Sequence, residues 1–418
     1  MQPLLVMLPF LLAAAAALET PMPDSDAPAR EASDPKLASA TSRFALDLYG
    51  ELRRREGNVF CSPLSITTAL AMTSAGARGE TAEQMNRTLH LDRLGPQAHA
   101  DLGLWIDSLR ASIKDAQQQP GEKDQALQEA GLWMANAVWI DEREKLVPDF
   151  VALLDRSFRS KARAVDFAHA AAAARETINR WVEDQTRDKI KDLLKPSVVT
   201  SDTVVVLTSA IYFKGYWVHP FSAQATRDDD FRPAKGDPVR VKMMNQTTRL
   251  PYFEGEAFQA LELPYKDGSL AMVVLLPKQA DGLEALEASL SVENLDSWVA
   301  GLKPSRVIVS LPRFTSTVEA ELKDVLTKLG MPLAFQGDAD FSGITGSRDF
   351  AISAVVHKAF VEVEEKGTEA AAATAVVGVR SSAFAAKEIV FRADHPFLYL
   401  IRDTKTGAIL FMGRLSRP

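Results

Sequence analysis

The chain reads as a mixed α/β protein, and three observations carry that reading. Apolar residues recur at helical spacing in two well-separated stretches, Phe44 to Leu52 and Ile178 to Gln185. Between and after them lie short apolar runs that read as strands, of which Thr203 to Phe213 (TVVVLTSAIYF) is apolar on both alternations, as a strand buried on two faces must be. Finally, the 418 residues contain one cysteine, Cys61, so no intramolecular disulfide can form and the fold must stand on its core. The length alone fits two or three domains or one large mixed domain.

Taken in order, residues 1–18 open with an apolar run, Pro3 to Leu18, that ends at Ala15, Ala16 and Ala17 and reads as a secretory signal peptide. Residues 19–36, rich in Pro, Asp and Ala, read as a disordered tether. Phe44, Leu48 and Leu52, with Ala45 and Tyr49 beside them, define a first amphipathic helix that Gly57 and Asn58 stop. A short strand to Phe60 follows, then a helix from about Pro63, where proline is tolerated in a first turn. Cys61, inside that apolar run, reads as a buried structural thiol.

Gly131 to Asp141 reads as a buried strand, and Ile178, Trp181, Val182 and Gln185 mark one face of a helix. Leu261–Pro264 and Leu270–Leu276 form a hairpin about Lys266, Asp267, Gly268 and Ser269. Val307 to Pro312 is a further strand that ends in Arg313, and Ala351 to Glu364 is a long one. The C-terminal run ADHPFLYLIRDTKTGAILFMGRLSRP makes two apolar strands about the turn Asp403 to Gly407.

The long strand feeds a segment with mixed instructions, VEVEEKGTEAAAATAVVGVRSS, from Val361 to Ser382. Its alanines favour helix by propensity. Yet every second residue from Thr368 (Thr368, Ala370, Ala372, Thr374, Val376, Gly378) is small or β-branched, as a narrow gap between strands would require. The segment reads as an exposed loop that is also competent as a strand.

This segment closely resembles the hinge and reactive centre loop of inhibitory serpins, and the chain is identified with a prokaryote-like inhibitory member of that family. Glu365, Lys366, Gly367, Thr368, Glu369, the four alanines and Thr374 all match. So do Asn58, Phe60, Ser62, Pro63 and Ser65 of the family's "shutter", Lys214, Gly215, Tyr216 and Trp217 of its "breach", the helix text INRWVEDQTRDKIKDLL, His357 at the shutter histidine, and the C-terminus. The resemblance implies a single domain over residues 37–418 with three β-sheets, eight or nine helices and a reactive centre loop at about 365–386. It is expected to be monomeric and metastable.

The same resemblance implies a serine-type endopeptidase inhibitor that acts as a suicide substrate. The protease attacks the loop, forms an acyl-enzyme, and is carried off as the cut loop inserts into the central sheet from Thr368 onward. Glu365 is expected to pair with Arg313, and Gly367 to absorb a reversal of chain direction through its tolerance of positive φ. Ser209 stands where the family often has an asparagine that bonds the shutter histidine, so that part of the lock is expected to be weaker or bridged by water. His357 reads as a hydrogen-bonded core residue and not a catalyst.

Two scissile bonds fit the loop. Arg380–Ser381 suits a trypsin-like protease and is the preferred reading, because a charged side chain serves a purpose there when it fills a complementary pocket. Ser381–Ser382 suits an elastase-like one. A non-inhibitory chaperone or carrier and an inhibitor of cysteine proteases are the alternatives. A net charge of −7 offers no field for nucleic acid, Arg110 and Lys114 are balanced by Asp107 and Asp115 so that no heparin site is expected, and the apolar N-terminal run is short for a membrane span. The six histidines show no metal spacing, and no nucleophile elbow or phosphate loop occurs, so neither cofactor, metal nor catalysis by this chain is expected.

Overall fold

Helices α1 (Pro35–Leu52) and α2 (Pro63–Ser74) show at once why some elements are easy to read and others are not. The first buries Phe44, Ala45, Leu48, Tyr49 and Leu52 along one stripe, while every residue of the second is buried, which erases any period. The computed structural model describes residues 35–117, 130–348, 350–368 and 388–418. Helix α1 starts at Pro35, so the last two residues of the expected tether are already helical.

Strand β1 (Val59–Cys61) joins these two helices, and α3 (Gly79–Thr88) and α4 (Ala98–Gln117) follow. Then come β2 (Gly131–Asp141), α5 (Pro148–Phe158), β3 (Arg163–Val165), α6 (Phe167–Gln185) and β4 (Val205–Tyr216). An antiparallel stretch of β5 (Arg227–Phe231), β6 (Val239–Glu254), β7 (Phe258–Pro264) and β8 (Leu270–Pro277) leads to α7 (Leu283–Ala288), α8 (Val292–Ala300) and β9 (Lys303–Pro312). The chain closes with β10 (Phe314–Glu321), α9 (Lys323–Leu329), α10 (Ser342–Thr345), β11 (Ile352–Glu364), β12 (Gly367–Thr368), β13 (Ile389–Arg392), β14 (Phe397–Asp403) and β15 (Ile409–Leu415). Among the described residues these are ten α-helices, and two of them, α7 and α10, are six residues long or shorter.

The strands make two hydrogen-bonded networks. The first has six strands in the order β10-β11-β12-β4-β2-β3. Its centre is β4, buried at all twelve positions as its double apolar alternation requires. The second has nine, in the order β1-β15-β14-β8-β7-β6-β9-β13 with β5 on β6. The sixteen-residue β6 pairs with β7 at its far end and with β5 and β9 before it, so this network consists of two sheets that share one long strand.

Most of the apolar core lies on the side of the six-stranded sheet that faces α1, α2 and the second network. The opposite face is covered by α6, which buries Phe167, Ile178 and Val182 on Ala135, Ala137, Val206, Ala210 and Val356. Cys61 is fully buried in the larger core, and that burial pushes its thiol up to about 12. No helix among the described residues is long and apolar enough to cross a membrane.

Candidate functional site

The site is a seam. Strands β11 and β4 run parallel and pair directly from Ile352 opposite Val205 to Phe360 opposite Tyr212. Above that point they part, and β12 lies between them, antiparallel to both. The seam is therefore closed at its middle and open at its top.

The closed part is held by a buried chain of hydrogen bonds around His357. Ser62 caps α2, its Oγ accepting from the Ser65 N–H at 3.2 Å and donating to the Leu410 carbonyl at 2.7 Å. Its backbone N–H donates to His357 Nε2 at 3.0 Å. A backbone N–H can only donate, so the ring proton sits on Nδ1 and is donated to Ser209 Oγ, 3.0 Å away. Ser209 Oγ lies 2.9 Å from Ser65 Oγ, whose own proton goes to Asn136 Oδ1 at 2.7 Å, while Asn136 Nδ2 returns a bond to the Ser65 carbonyl at 3.0 Å.

Every link thus has a consistent direction, from β11 to β4 to α2 to β2. Burial lowers the His357 pKa to about 3, which keeps the ring neutral and the directions fixed. Of the two outcomes expected from Ser209, the structure needs no bridging water, because the hydroxyl reaches the ring itself. Ser209 bonds the histidine directly, and the amide comes from Asn136, the residue paired with Ser209 on the neighbouring strand. Asn136 joins the histidine through Ser65 and Ser209.

At the top of the seam, Trp217 stacks on Tyr265 with centroids 4.6 Å apart and donates from Nε1 to the Glu364 carbonyl at 3.0 Å. Its backbone N–H donates to the Lys366 carbonyl at 2.8 Å. Tyr265 OH meets Thr368 Oγ1 at 2.9 Å, and Thr368 is fully buried. Glu365 takes bonds of 2.6 Å from Arg313 on both carboxylate oxygens and one of 2.8 Å from Thr226. Burial pushes the Glu365 pKa up, but these bonds outweigh it and hold the group below the usual carboxylate range. Next to it, burial and the Glu362 carboxyl raise Glu364 to about 7.

The structure corrects the reason for the hinge glycine. Gly367 is not among the positive-φ residues. What it needs is room, since a Cβ there would lie 2.0 Å from the Gly215 carbonyl oxygen and 2.6 Å from Tyr216 Cα. With no side chain, residues 367 and 368 can pair with Tyr216 and Gly215 on one side and with Glu364 and Val363 on the other. Thr368 is therefore already a sheet residue in the uncut chain.

The structure brings Ser62, Ser65, Ser209 and His357 into one cluster and Trp217, Arg313, Glu365, Gly367 and Thr368 into another. Ala370, Ala372, Thr374, Arg380, Ser381 and Ser382 lie outside the described residues. Three contributors escaped the sequence reading: Asn136, Tyr265 and Thr226. Asn136 did leave a signal, as a lone amide in an otherwise apolar strand, and a buried amide requires partners.

The model of the family described as Serpin (serine protease inhibitor) matches residues 39–418. The chain is a serpin. It is 40% identical over 388 residues to human Serpin B3, with 91% of this chain and 99% of the relative covered. It is also 40% identical to the leukocyte elastase inhibitor of Sus scrofa, with 92% and 100% covered. Among solved structures, uncleaved ovalbumin superposes with a TM-score of 0.79 at 31% identity, covering 92% of this serpin and all of that chain.

Proposed function

We propose that this serpin inhibits serine endopeptidases as a suicide substrate, and the observation that carries the proposal is the entry of Thr368 between β11 and β4. Two residues of loop strand are hydrogen-bonded in the open top of the seam, so further insertion extends a register that already exists. Residue 368+n would fall opposite 215−n on β4 and 363−n on β11. Ala370 would then meet Phe213 and Val361, Ala372 would meet Ile211 and Ala359, and Thr374 would meet Ser209 and His357. Small residues suit the first two places, where the neighbours are apolar and fully buried. A threonine suits the third, because its hydroxyl can both accept from and donate to the hydrogen-bond chain that the parting strands would break.

The chemistry belongs to the protease. Its serine oxygen adds to the Arg380 carbonyl, the bond to Ser381 breaks with transfer of a proton to the new amine, and Arg380 remains as an ester. Thr368 already lies in the sheet, so insertion of the twelve residues from Glu369 to Arg380 at ~3.3 Å each moves the tethered enzyme on the order of 40 Å. Compression against the far end of the molecule would displace the oxyanion-hole donors that deacylation needs. The protease then stays esterified.

We take Arg380–Ser381 as the bond, with trypsin-like enzymes as targets. A second reading, Ser381–Ser382 cut by an elastase-like enzyme, is favoured by relatives whose printed name is leukocyte elastase inhibitor. We further propose that residues 1–18 are removed on secretion and that 37–418 form the working domain.

Incubation with trypsin and with elastase, followed by denaturing gels and N-terminal mass analysis, tests these readings together. A stable complex releasing a fragment that begins at Ser381 supports the first, and one beginning at Ser382 with elastase the second. Complex with a cysteine protease alone would transfer the target class, and cleavage without any complex would leave a binding role on this scaffold.

A further inference from the structure

The loop that leaves α6 crosses the seam. Its far part is pinned to α6 by Asn179, which donates to the Leu194 carbonyl at 3.0 Å and accepts from the Leu194 N–H at 2.7 Å. On the way it lays two cations on a cross-strand row of rings. Arg187 lies 4.3 Å from the Trp133 centroid on β2, and the Lys189 ammonium lies 5.9 Å from Tyr212 on β4 and 5.5 Å from Phe360 on β11. Trp133 pairs with Tyr212 and Tyr212 with Phe360, so the three rings span three adjacent strands. Beyond them Lys358 Nζ donates to the Lys191 carbonyl at 2.6 Å, and Glu319 on β10 receives both Lys358 and Lys195, at 3.5 and 3.4 Å.

We infer that residues 187–195 are a strap whose Lys189 ammonium clasps the seam from above and sets the rate at which it opens. The inference rests on the insertion reading above. One ring of the clasp stands on each side of the seam, with centroids 5.9 Å apart. Admitting a strand adds one interstrand spacing, about 4.8 Å, and places that strand's own side chain between the rings. The ammonium then keeps at most one of them. Because the contact exists in the closed sheet and is lost as the strands part, it raises the barrier to opening without holding the open product.

Local backbone bonds also shape the strap. Arg187, Asp188 and Asp192 all have positive φ, at 51°, 60° and 50°, in a stretch with no glycine. The first two follow the end of α6, where the Asp188 N–H donates to the Glu183 carbonyl at 2.9 Å, and at the third the Asp192 N–H donates to Glu183 Oε1 at 3.4 Å.

The test is the rate of loop insertion after a single cut, followed by stopped-flow tryptophan fluorescence. Lys189→Met keeps the stem and removes the charge, and insertion should be roughly three- to thirtyfold faster than in the parent. Lys191→Ala removes the same charge from the same strap away from the rings, and should leave the rate unchanged. Phe360→Leu should accelerate insertion as well, and combining it with Lys189→Met should add less than the product of the two effects. Equal rates for Lys189→Met and the parent, equal acceleration by Lys191→Ala, or fully multiplicative effects would overturn the clasp. If Lys189→Met folds poorly, Phe360→Leu and Phe360→Tyr, which keeps a ring, decide it. A parent chain that shows no transition on cleavage would count against insertion itself, a different outcome from an unaltered rate.

Discussion

At position 368 the side chain must be small, polar at one atom and uncharged, because it is enclosed by β11, β4 and the Tyr265 hydroxyl. Thr368→Arg would place a cation in that enclosed position, and a buried unpaired charge costs several kcal/mol. The variant should be cut at the normal rate and released, turning inhibitor into substrate; retained 1:1 complex formation on a denaturing gel would refute the insertion account. Gly367→Ala acts one residue earlier and for a steric reason. Its methyl would overlap the Gly215 carbonyl, so about 1–3 kcal/mol of overpacking should push the hinge out of the sheet and expose Thr368. Limited proteolysis near residue 368 should speed up accordingly, and an unchanged digestion pattern would show that the gap can widen.

The seam as an element depends on Asn136 as much as on His357. Asn136→Ala removes the acceptor for Ser65 and the donor to its carbonyl, leaving buried polar atoms worth about 1–3 kcal/mol unpaired between β2, β4 and α2. Spontaneous loss of inhibitory activity on storage should become faster, while Asn136→Asp, which keeps an acceptor and loses the amide donor, should fall between.

Legibility followed the same physics. Strand β4 was evident because both of its faces are apolar, and α1 because one stripe is. The role of Asn136 was hidden because an amide in a strand announces a need for partners but not who they are. Gly367 was misjudged because sequence offers two reasons for a glycine, backbone freedom and lack of a side chain, and only the approach of Gly215 distinguishes them.

For the whole molecule, His357 links the seam to pH. Its folded pKa, lowered by burial to about 3, lies below the ~6.5 of an unfolded histidine, so between those values the unfolded chain binds the extra proton. The contribution is fully present above ~6.5 and is lost as pH falls toward 3, up to a few kcal/mol in all. His357→Gln, which cannot titrate, should flatten the dependence of stability on pH between about 6.5 and 5 relative to the parent; parallel curves would mean the ring is charged in the fold.

The central claim concerns energy stored in the uncut chain. A fully inserted loop would add roughly a dozen or two ladder hydrogen bonds at about 0.5–1.5 kcal/mol net each, a gain comparable with the whole stability of an ordinary domain. Nicking the loop with a protease that is not trapped, then comparing thermal unfolding of the cut and uncut chains, reads that gain directly. The account predicts that the cut chain unfolds at least ~10 °C higher. An equal or lower midpoint would contradict it, whatever the gels had shown.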